Sequence, residues 1–354
     1  MLFHVVEKER NNGDHQNASI KPRKDFNKVL ESNFDSCPLD CQFPQPPVSG
    51  LISKIIYQFQ TFRIWKSVLR GLSSNDVLFV NYPPVYGCFS FGHALHFFQG
   101  RVIFLVHDLE TLRTSSQGHT RGFFQGVVKK EENLALSRAD RVIVHNPSMA
   151  QALSDVFNLD KCRQISLGIF DYLLTSSDKS SNSIFDDAVA IAGNLSSEKA
   201  GYLSNLPTDV KFNLYGLNLT ASLPGNARYL GSFDSEELPY IISGKFGLVW
   251  DGCSAHTCSG SFGDYLKINN PYKASLYLAS GLPLIVWNQS AIARFVQDEG
   301  VGIAVGSLDE LGEVLIQISD ESYNAMKSRV SDVSYKVQSG FYSSRAINSV
   351  MAML

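Results

Sequence analysis

Two lysines flank the start of an apolar segment in "GDYLKINNPYKASLYLASGLPLIVWN", Gly263–Asn288. Asn270 suits an N-cap, where its side-chain oxygen can accept from an orphan backbone N–H. Pro271 suits the first helical position. Lys273 then falls in the first turn, where the positive end of the helix dipole disfavours a cation unless an anion binds beside it. Free N–H groups at a helix start plus a lysine are the chemistry of a phosphate cradle. Lys267 and Tyr265, just upstream, add a second cation and a ring. The competing reading is a capped surface helix whose lysine points to water.

A second set follows the apolar run "RVIFLVHD". His107, Asp108 and Glu110 come at a strand's carboxyl end, where sites of α/β sheets lie. Asp108 is the first candidate for a general base, since partial shielding can raise a carboxylate pKa toward neutrality. His107 starts closer to neutral pH and is the rival. Asp108 as a helix cap with Arg113 as a surface partner is the alternative without chemistry. Asn194 and Tyr215 also end strand-like runs, and suit amide hydrogen bonding and stacking. Asp251 and Gly252 close "FGLVWDG", and the polar "CSAHTCSGSFGDY" after them reads as a mobile flap. In "NASIKPRKDF", Asn17 and Ser19 fall in a loop after the first strand. Lys21, Arg23 and Lys24 serve an anion there or form a solvated charge run. "VHNPSM" reads as a strand-to-helix cap through Asn146 and Pro147.

Elements that would position these residues are visible as short, near-continuous apolar runs with helical stretches between them. Such runs suggest parallel strands covered on both faces. They recur in both halves, so the expected fold class is α/β, with two doubly wound domains. The expected division is residues 1–170, a Ser/Asp-rich linker at 171–187, residues 188–330, and a helical tail at 331–354. Residues 34–50, with four prolines, read as a loop.

A chain of 354 residues, 44% apolar and 18% charged, is of ordinary globular composition, and its length fits about two domains. A net charge of −3 gives no field for nucleic acid. The start, "MLFHVVEKER", has no leader pattern and no run reaches spanning length, so the expectation is cytoplasmic. The six cysteines include Cys37/Cys41 and Cys253/Cys258 with His256 between the latter. Their spacing fits no standard zinc site, and free thiols are expected. Neither a G-x-x-x-x-G-K-[ST] loop nor a G-x-G-x-x-G fingerprint occurs. Asp-x-Asp is absent too, which weighs against a metal-held nucleotide.

The Gly263–Asn288 segment resembles the donor-site segment of a glycosyltransferase family. That family includes bacterial β-1,6-galactofuranosyltransferases and the glucosyltransferases that extend GlcNAc on serine-rich adhesins. "NASIKPRKDF", "VHDLETLR", "RADRVIVHNPSM" and "AGNLSSEKAGYL" agree in order, so the resemblance spans most of the chain. It implies a GT-B fold, two Rossmann-like domains facing a cleft, with the C-terminal helix packing back on the first. It implies a UDP-sugar donor with no metal or other cofactor; the residues read as contacting that donor are Asn17, Asn194, Tyr215, Asp251, Lys267, Asn270 and Lys273. The acceptor would be a saccharide, lipid-linked glycan or glycoprotein. Work at the inner face of the plasma membrane and homo-oligomers go with such relatives. The E-x7-E glutamates of many retaining GT-B enzymes are missing before "SGLP", which points to inversion with a base near the acceptor hydroxyl. A UDP-sugar epimerase or a non-catalytic partner subunit of the same fold are the rivals.

Overall fold

The computed structural model describes residues 1–9, 20–115, 123–174 and 187–354. The chain forms two compact units. One holds the described residues up to 9, Phe26–Leu167 and Ser343–Leu354; the other holds residues 20–25 and Gly168–Tyr342.

The first unit is built on six parallel strands: β1 (Leu2–Glu9), β2 (Cys37–Phe43), β3 (Val77–Tyr82), β4 (Arg101–Val106), β5 (Arg141–Val144) and β6 (Gln164–Ser166), in the order β2-β1-β3-β4-β5-β6. The second carries β7 (Val189–Asn194), β8 (Phe212–Leu217), β9 (Ala227–Gly231), β10 (Phe246–Val249), β11 (Leu284–Trp287) and β12 (Gly302–Val305), in the order β12-β11-β10-β7-β8-β9. Both are doubly wound sheets, as the apolar runs require. Central strands such as Val102–Val106 and Leu284–Trp287 are buried along their whole length, because helices cover both faces.

Each sheet reverses direction once, and that reversal is where a doubly wound fold leaves a crevice at the strands' carboxyl ends. In the first unit it lies between β1 and β3. In the second it lies between β7 and β10.

Two local readings are settled differently by the structure. Residues 37–43 are a strand, not part of a loop; β2 sits at the sheet edge, where Pro38 removes no central ladder bond. Residues from Lys21 onward form the helix Lys21–Phe34, with Pro22 tolerated in its first turn. Lys21 is not a solvated charge; its side chain is only 2% exposed. Its Nζ meets Asp25 Oδ1 at 3.1 Å, Glu236 Oε1 at 2.9 Å and the Leu173 carbonyl at 2.8 Å, and lies 4.6 Å from the Tyr172 ring centre. Tyr272 completes this knot of the second unit by donating its hydroxyl to Asp25 Oδ2 at 2.9 Å.

Of the expected linker, residues 175–186 lie outside the described residues. Asp171 and Tyr172 belong to the second unit: the Tyr342 N–H donates to Asp171 Oδ1 at 3.1 Å, and the Tyr172 N–H to the Val337 carbonyl at 3.0 Å. The end of the chain is two helices, Asp320–Gln338 and Phe341–Met351. From Ser343 on, it groups with the first unit, where Arg345 donates to the Leu167 carbonyl at 2.8 Å.

Candidate active site

In the second unit the carboxyl ends of β7 and β10 bring together three of the expected donor residues, Asn194, Asp251 and Lys273. β7 ends at Gly193 and Asn194. Gly193 has φ +127°, and a side chain there would meet nothing within 4 Å, so the backbone faces open space. Next to it, Gly216 presses so close to the Gly193 carbonyl that no Cβ could fit. Asn194 is exposed; its Oδ1 accepts from the Ser196 N–H and from Asn218 Nδ2, both at 3.1 Å. Its carbonyl side is thereby used to start the helix Ser197–Ala200.

β10 leads into Trp250 and Asp251. Asp251 is 5% exposed and pairs with Lys273, Oδ1 to Nζ at 2.7 Å. The same Nζ donates to the Trp250 carbonyl at 2.8 Å. The cation at the start of helix Tyr272–Ala279 therefore has an internal counter-ion. Burial holds the Lys273 pKa below its ordinary value; Asp251 pulls it back up, while the positive charge of Lys199 pushes it further down. Lys199 is thus close enough for its charge to be felt, and its Nζ sits 5.5 Å from the Phe262 ring centre. Its backbone carbonyl accepts from the Gly252 N–H at 2.7 Å, which ties the β10 loop to the helix after β7. Lys199 is thus a second cation whose charge reaches the Lys273–Asp251 pair.

Other expected contacts differ. Asn270 does not cap the helix: Pro271 is the N-cap residue, without a side-chain cap bond, and Asn270 Nδ2 donates to the Gly168 carbonyl. Lys267 is half exposed, pairs with Asp264 at 3.0 Å and lies 5.4 Å from the Trp287 ring centre. The stacking role expected of Tyr215 is corrected. Its ring is 1% exposed, and its hydroxyl meets Ser243 Oγ and accepts from the Ser243 N–H, each at 3.0 Å. A strand covered on both faces leaves its last ring in the core rather than in the crevice. Asn17 lies outside the described residues.

The loop after Gly252 is no free flap. Ala255 and Cys258 are buried, the Ser254 carbonyl accepts from Trp250 Nε1 at 2.9 Å, and Gly260–Tyr265 is helical. His256 pairs with Asp309 instead of turning toward Cys253 and Cys258.

In the first unit, His107, Asp108 and Glu110 follow β4. His107 is buried, and its Nε2 meets Asn81 Oδ1 at 2.8 Å. A carbonyl oxygen only accepts, so Nε2 carries the proton. Asn81 in turn donates to Asn27 Oδ1 at 2.9 Å. Asp108 is exposed, so the shielding expected for it is not present. Glu110 opens the helix Glu110–Ser115 and pairs with Arg113. The carboxylate that caps this helix is Glu132, which accepts from the Glu110 and Thr111 N–H groups at 2.9 and 3.3 Å. Burial raises the Glu132 pKa against the pull of these bonds. Sequence reasoning missed Glu132, although Val128, Glu132 and Leu136 share one helix stripe and all three are buried. It also passed over His145 in "VHNPSM", where Asn146 does cap the next helix, accepting from the Met149 N–H at 3.0 Å.

His145 donates from Nε2 to the Val106 carbonyl at 3.0 Å, and burial lowers its pKa to about 4. It is neutral in the folded chain, whereas the unfolded chain protonates near pH 6.5. Between those values the unfolded state binds more protons, so stability falls as pH falls through the window. Buried Asp25 and Glu132, with raised pKa values, act in the opposite sense. Urea unfolding at pH 7 and pH 4.5 should show His145→Gln removing roughly 2–3 kcal/mol of acid-side loss. An unchanged pH dependence in that variant would refute the assignment.

Comparisons with known proteins agree with this architecture. Residues 9–156 match the family described as glucosyltransferase 3-like, N-terminal domain, and residues 189–350 match its C-terminal domain. The chain is 35% identical over 338 residues to the β-1,6-galactofuranosyltransferase WbbI of Escherichia coli K12, covering 94% of this chain and 93% of that one. It is 28% identical over 159 residues to glucosyltransferase 3 of Streptococcus gordonii, covering 44% of this chain and 47% of that one. Among solved structures, sucrose-phosphate synthase from Thermosynechococcus elongatus matches with a TM-score of 0.63 at 12% identity, covering 100% of both chains. WaaG, a glycosyltransferase involved in lipopolysaccharide biosynthesis, matches with a TM-score of 0.57 at 10% identity, covering 97% of this chain and 98% of that one. Two doubly wound sheets, matches to both family domains and a relative aligned over nearly the whole chain lead to one conclusion: this chain belongs to the glucosyltransferase 3-like family, a hexosyltransferase of GT-B fold acting with a sugar donor and a saccharide acceptor.

Proposed function

We propose that the chain is a metal-independent, inverting transferase that moves a hexose from a UDP-sugar to a saccharide hydroxyl. Galactofuranose is the first sugar proposed, in capsule, exopolysaccharide or O-antigen synthesis. Glucose added to GlcNAc on a serine-rich glycoprotein is the alternative. The observation that carries the donor assignment is the Lys273–Asp251 pair at the β7/β10 crevice, with Lys199 nearby. A diphosphate there would meet Lys273 and Lys199 in a partly dry site, where electrostatic stabilisation of a leaving group is strongest. The sugar assignment rests on the 35% identity to a galactofuranosyltransferase.

In the proposed reaction Asp108 takes the proton of the acceptor hydroxyl. The acceptor oxygen attacks the sugar's anomeric carbon as its bond to the diphosphate oxygen breaks, and UDP leaves with the electron pair. Lys273 and Lys199 offset the charge that develops on the diphosphate. His107, held by Asn81, positions the segment that bears Asp108. Inversion is favoured because helix Tyr272–Ala279 carries no glutamate or aspartate. The lysines offer the charge that a metal would otherwise supply.

The test is turnover of UDP-galactofuranose and UDP-glucose with a saccharide acceptor, with and without EDTA, and product stereochemistry by NMR. Transfer from UDP-galactofuranose that inverts and survives EDTA is the expected result. Retention would sink the proposed mechanism, and loss of activity in EDTA would sink metal independence. A preference for UDP-glucose selects the alternative sugar. Release of an isomeric UDP-sugar without transfer would mark an epimerase, and no turnover of any donor would mark a non-catalytic subunit.

A further inference from the structure

Helix Leu51–Arg70 in the first unit is amphipathic in an unusual sense. Its buried stripe is Tyr57, Thr61, Trp65 and Leu69, spaced four apart. The opposite stripe, spaced alternately four and three, is Ile52, Ile56, Phe59, Arg63, Lys66 and Arg70. Spacing of this kind keeps residues on one helical face. The N-terminal half of that face is apolar and open: Ile52 is 75% exposed, Ile56 51% and Phe59 60%. Leu51 and Ile55 widen it, and Val48, just before the helix, is fully exposed. The C-terminal half is cationic. Arg63 leans on Phe59 at 5.9 Å, and Lys66 and Arg70 cross the Phe97 ring at 4.3 and 4.9 Å from its centre. The helix contains no Asp or Glu.

An exposed apolar run of this size calls for a cover. We infer that the stripe is a docking face for an anionic lipid bilayer: Ile52, Ile56 and Phe59 enter the acyl boundary while Arg63, Lys66 and Arg70 meet the headgroups. Charge complementarity decides between occupants. A second copy of the chain, seated stripe to stripe, would set these cations against one another or against isoleucines, because the helix offers no carboxylate. An anionic membrane surface satisfies both halves at once, with apolar depth for one and negative charge for the other. The helix lies on the surface and does not cross it; among the described residues no helix is long and apolar enough to span a membrane.

This inference stands apart from the choice of sugar and base. Flotation of the full chain with phosphatidylcholine vesicles, with and without phosphatidylglycerol, tests it. Binding is expected only to the anionic vesicles and falls as salt is raised. Reversing the three cations in Arg63→Glu/Lys66→Glu/Arg70→Glu should weaken binding at least about a hundredfold, roughly fivefold for each cation lost. Ile56→Glu/Phe59→Glu should weaken it at least about tenfold, with circular dichroism and UDP affinity unchanged. Failure of the unmodified chain to float with anionic vesicles would overturn the inference, and needs no variant. Equal binding to neutral vesicles, undiminished binding in folded variants, or a dimer dissolved by Ile56→Glu/Phe59→Glu without vesicle binding would each do the same.

Discussion

Lys273→Ala is expected to raise the dissociation constant for UDP about 10- to 100-fold, the scale of one charge-assisted hydrogen bond of ~1.5–3 kcal/mol. The same change should lower stability, because it leaves the Asp251 carboxylate buried without its partner. Breaking a buried pair from one side costs roughly 3–5 kcal/mol. Stability and affinity must therefore be separated, and Asp251→Asn does so. That variant also breaks the pair, but it leaves Lys273 in place and removes a negative charge from the crevice. If Lys273 serves the diphosphate, Asp251→Asn should bind UDP as tightly as the parent or severalfold tighter. Calorimetry at a temperature where both variants remain folded would measure it. Unchanged affinity in Lys273→Ala, or equal losses in both variants, would reduce the pair to a structural tie.

The puzzle of a lysine at a helix's positive end thus has a different answer from the one its sequence suggests. Composition along the helix shows the conflict with the dipole but not its remedy. Asp251 lies on the loop after β10, 22 positions away, and only the parallel pairing of β10 with β11 brings the two together. Lys21 makes the same point more strongly. Its partner Asp25 is one helical turn on and legible at i+4, yet Glu236 is 215 positions distant. A basic cluster in "KPRK" therefore reads as surface when one of its members is buried.

The sheets were legible for the opposite reason. "RVIFLV" and "LPLIVW" carry their burial on both faces in the sequence itself, and the alternation of such runs with helices fixes a doubly wound order. β2 was not, because Pro38 within it and three prolines just after it look like a loop until the strand is seen on an edge. Strand-end logic put Asn194 and Asp251 at the ends of the runs that are β7 and β10, and the structure has them at those strands' carboxyl ends. It misplaced Tyr215, since position at a strand end does not say toward which side a ring is drawn. Glu132 could have been found: a carboxylate on the Val128–Leu136 stripe must meet donors inside, and it meets two helix-start N–H groups.

Asp108→Asn is expected to leave UDP affinity unchanged and to cut transfer by about 10²–10⁴-fold, the range for removing a general base. His107 and Glu110 flank it but are differently engaged. His107 is buried with its Nε2 proton on Asn81, and Glu110 is paired with Arg113 beside a helix start already capped by Glu132. Asp108 is the most exposed residue of the three, though the Glu110 side chain is also partly open. If Asp108 takes the proton, the kcat profile loses its acidic limb in Asp108→Asn, whereas a change in His107 shifts rate without removing that limb. His107→Gln keeps a side-chain amide that can still donate to Asn81 and should retain most activity. Full turnover in Asp108→Asn, together with loss of the limb in His107→Gln, would transfer the base to the histidine. Full turnover in both would leave Glu110, and Glu110→Gln would then have to abolish transfer while sparing UDP binding.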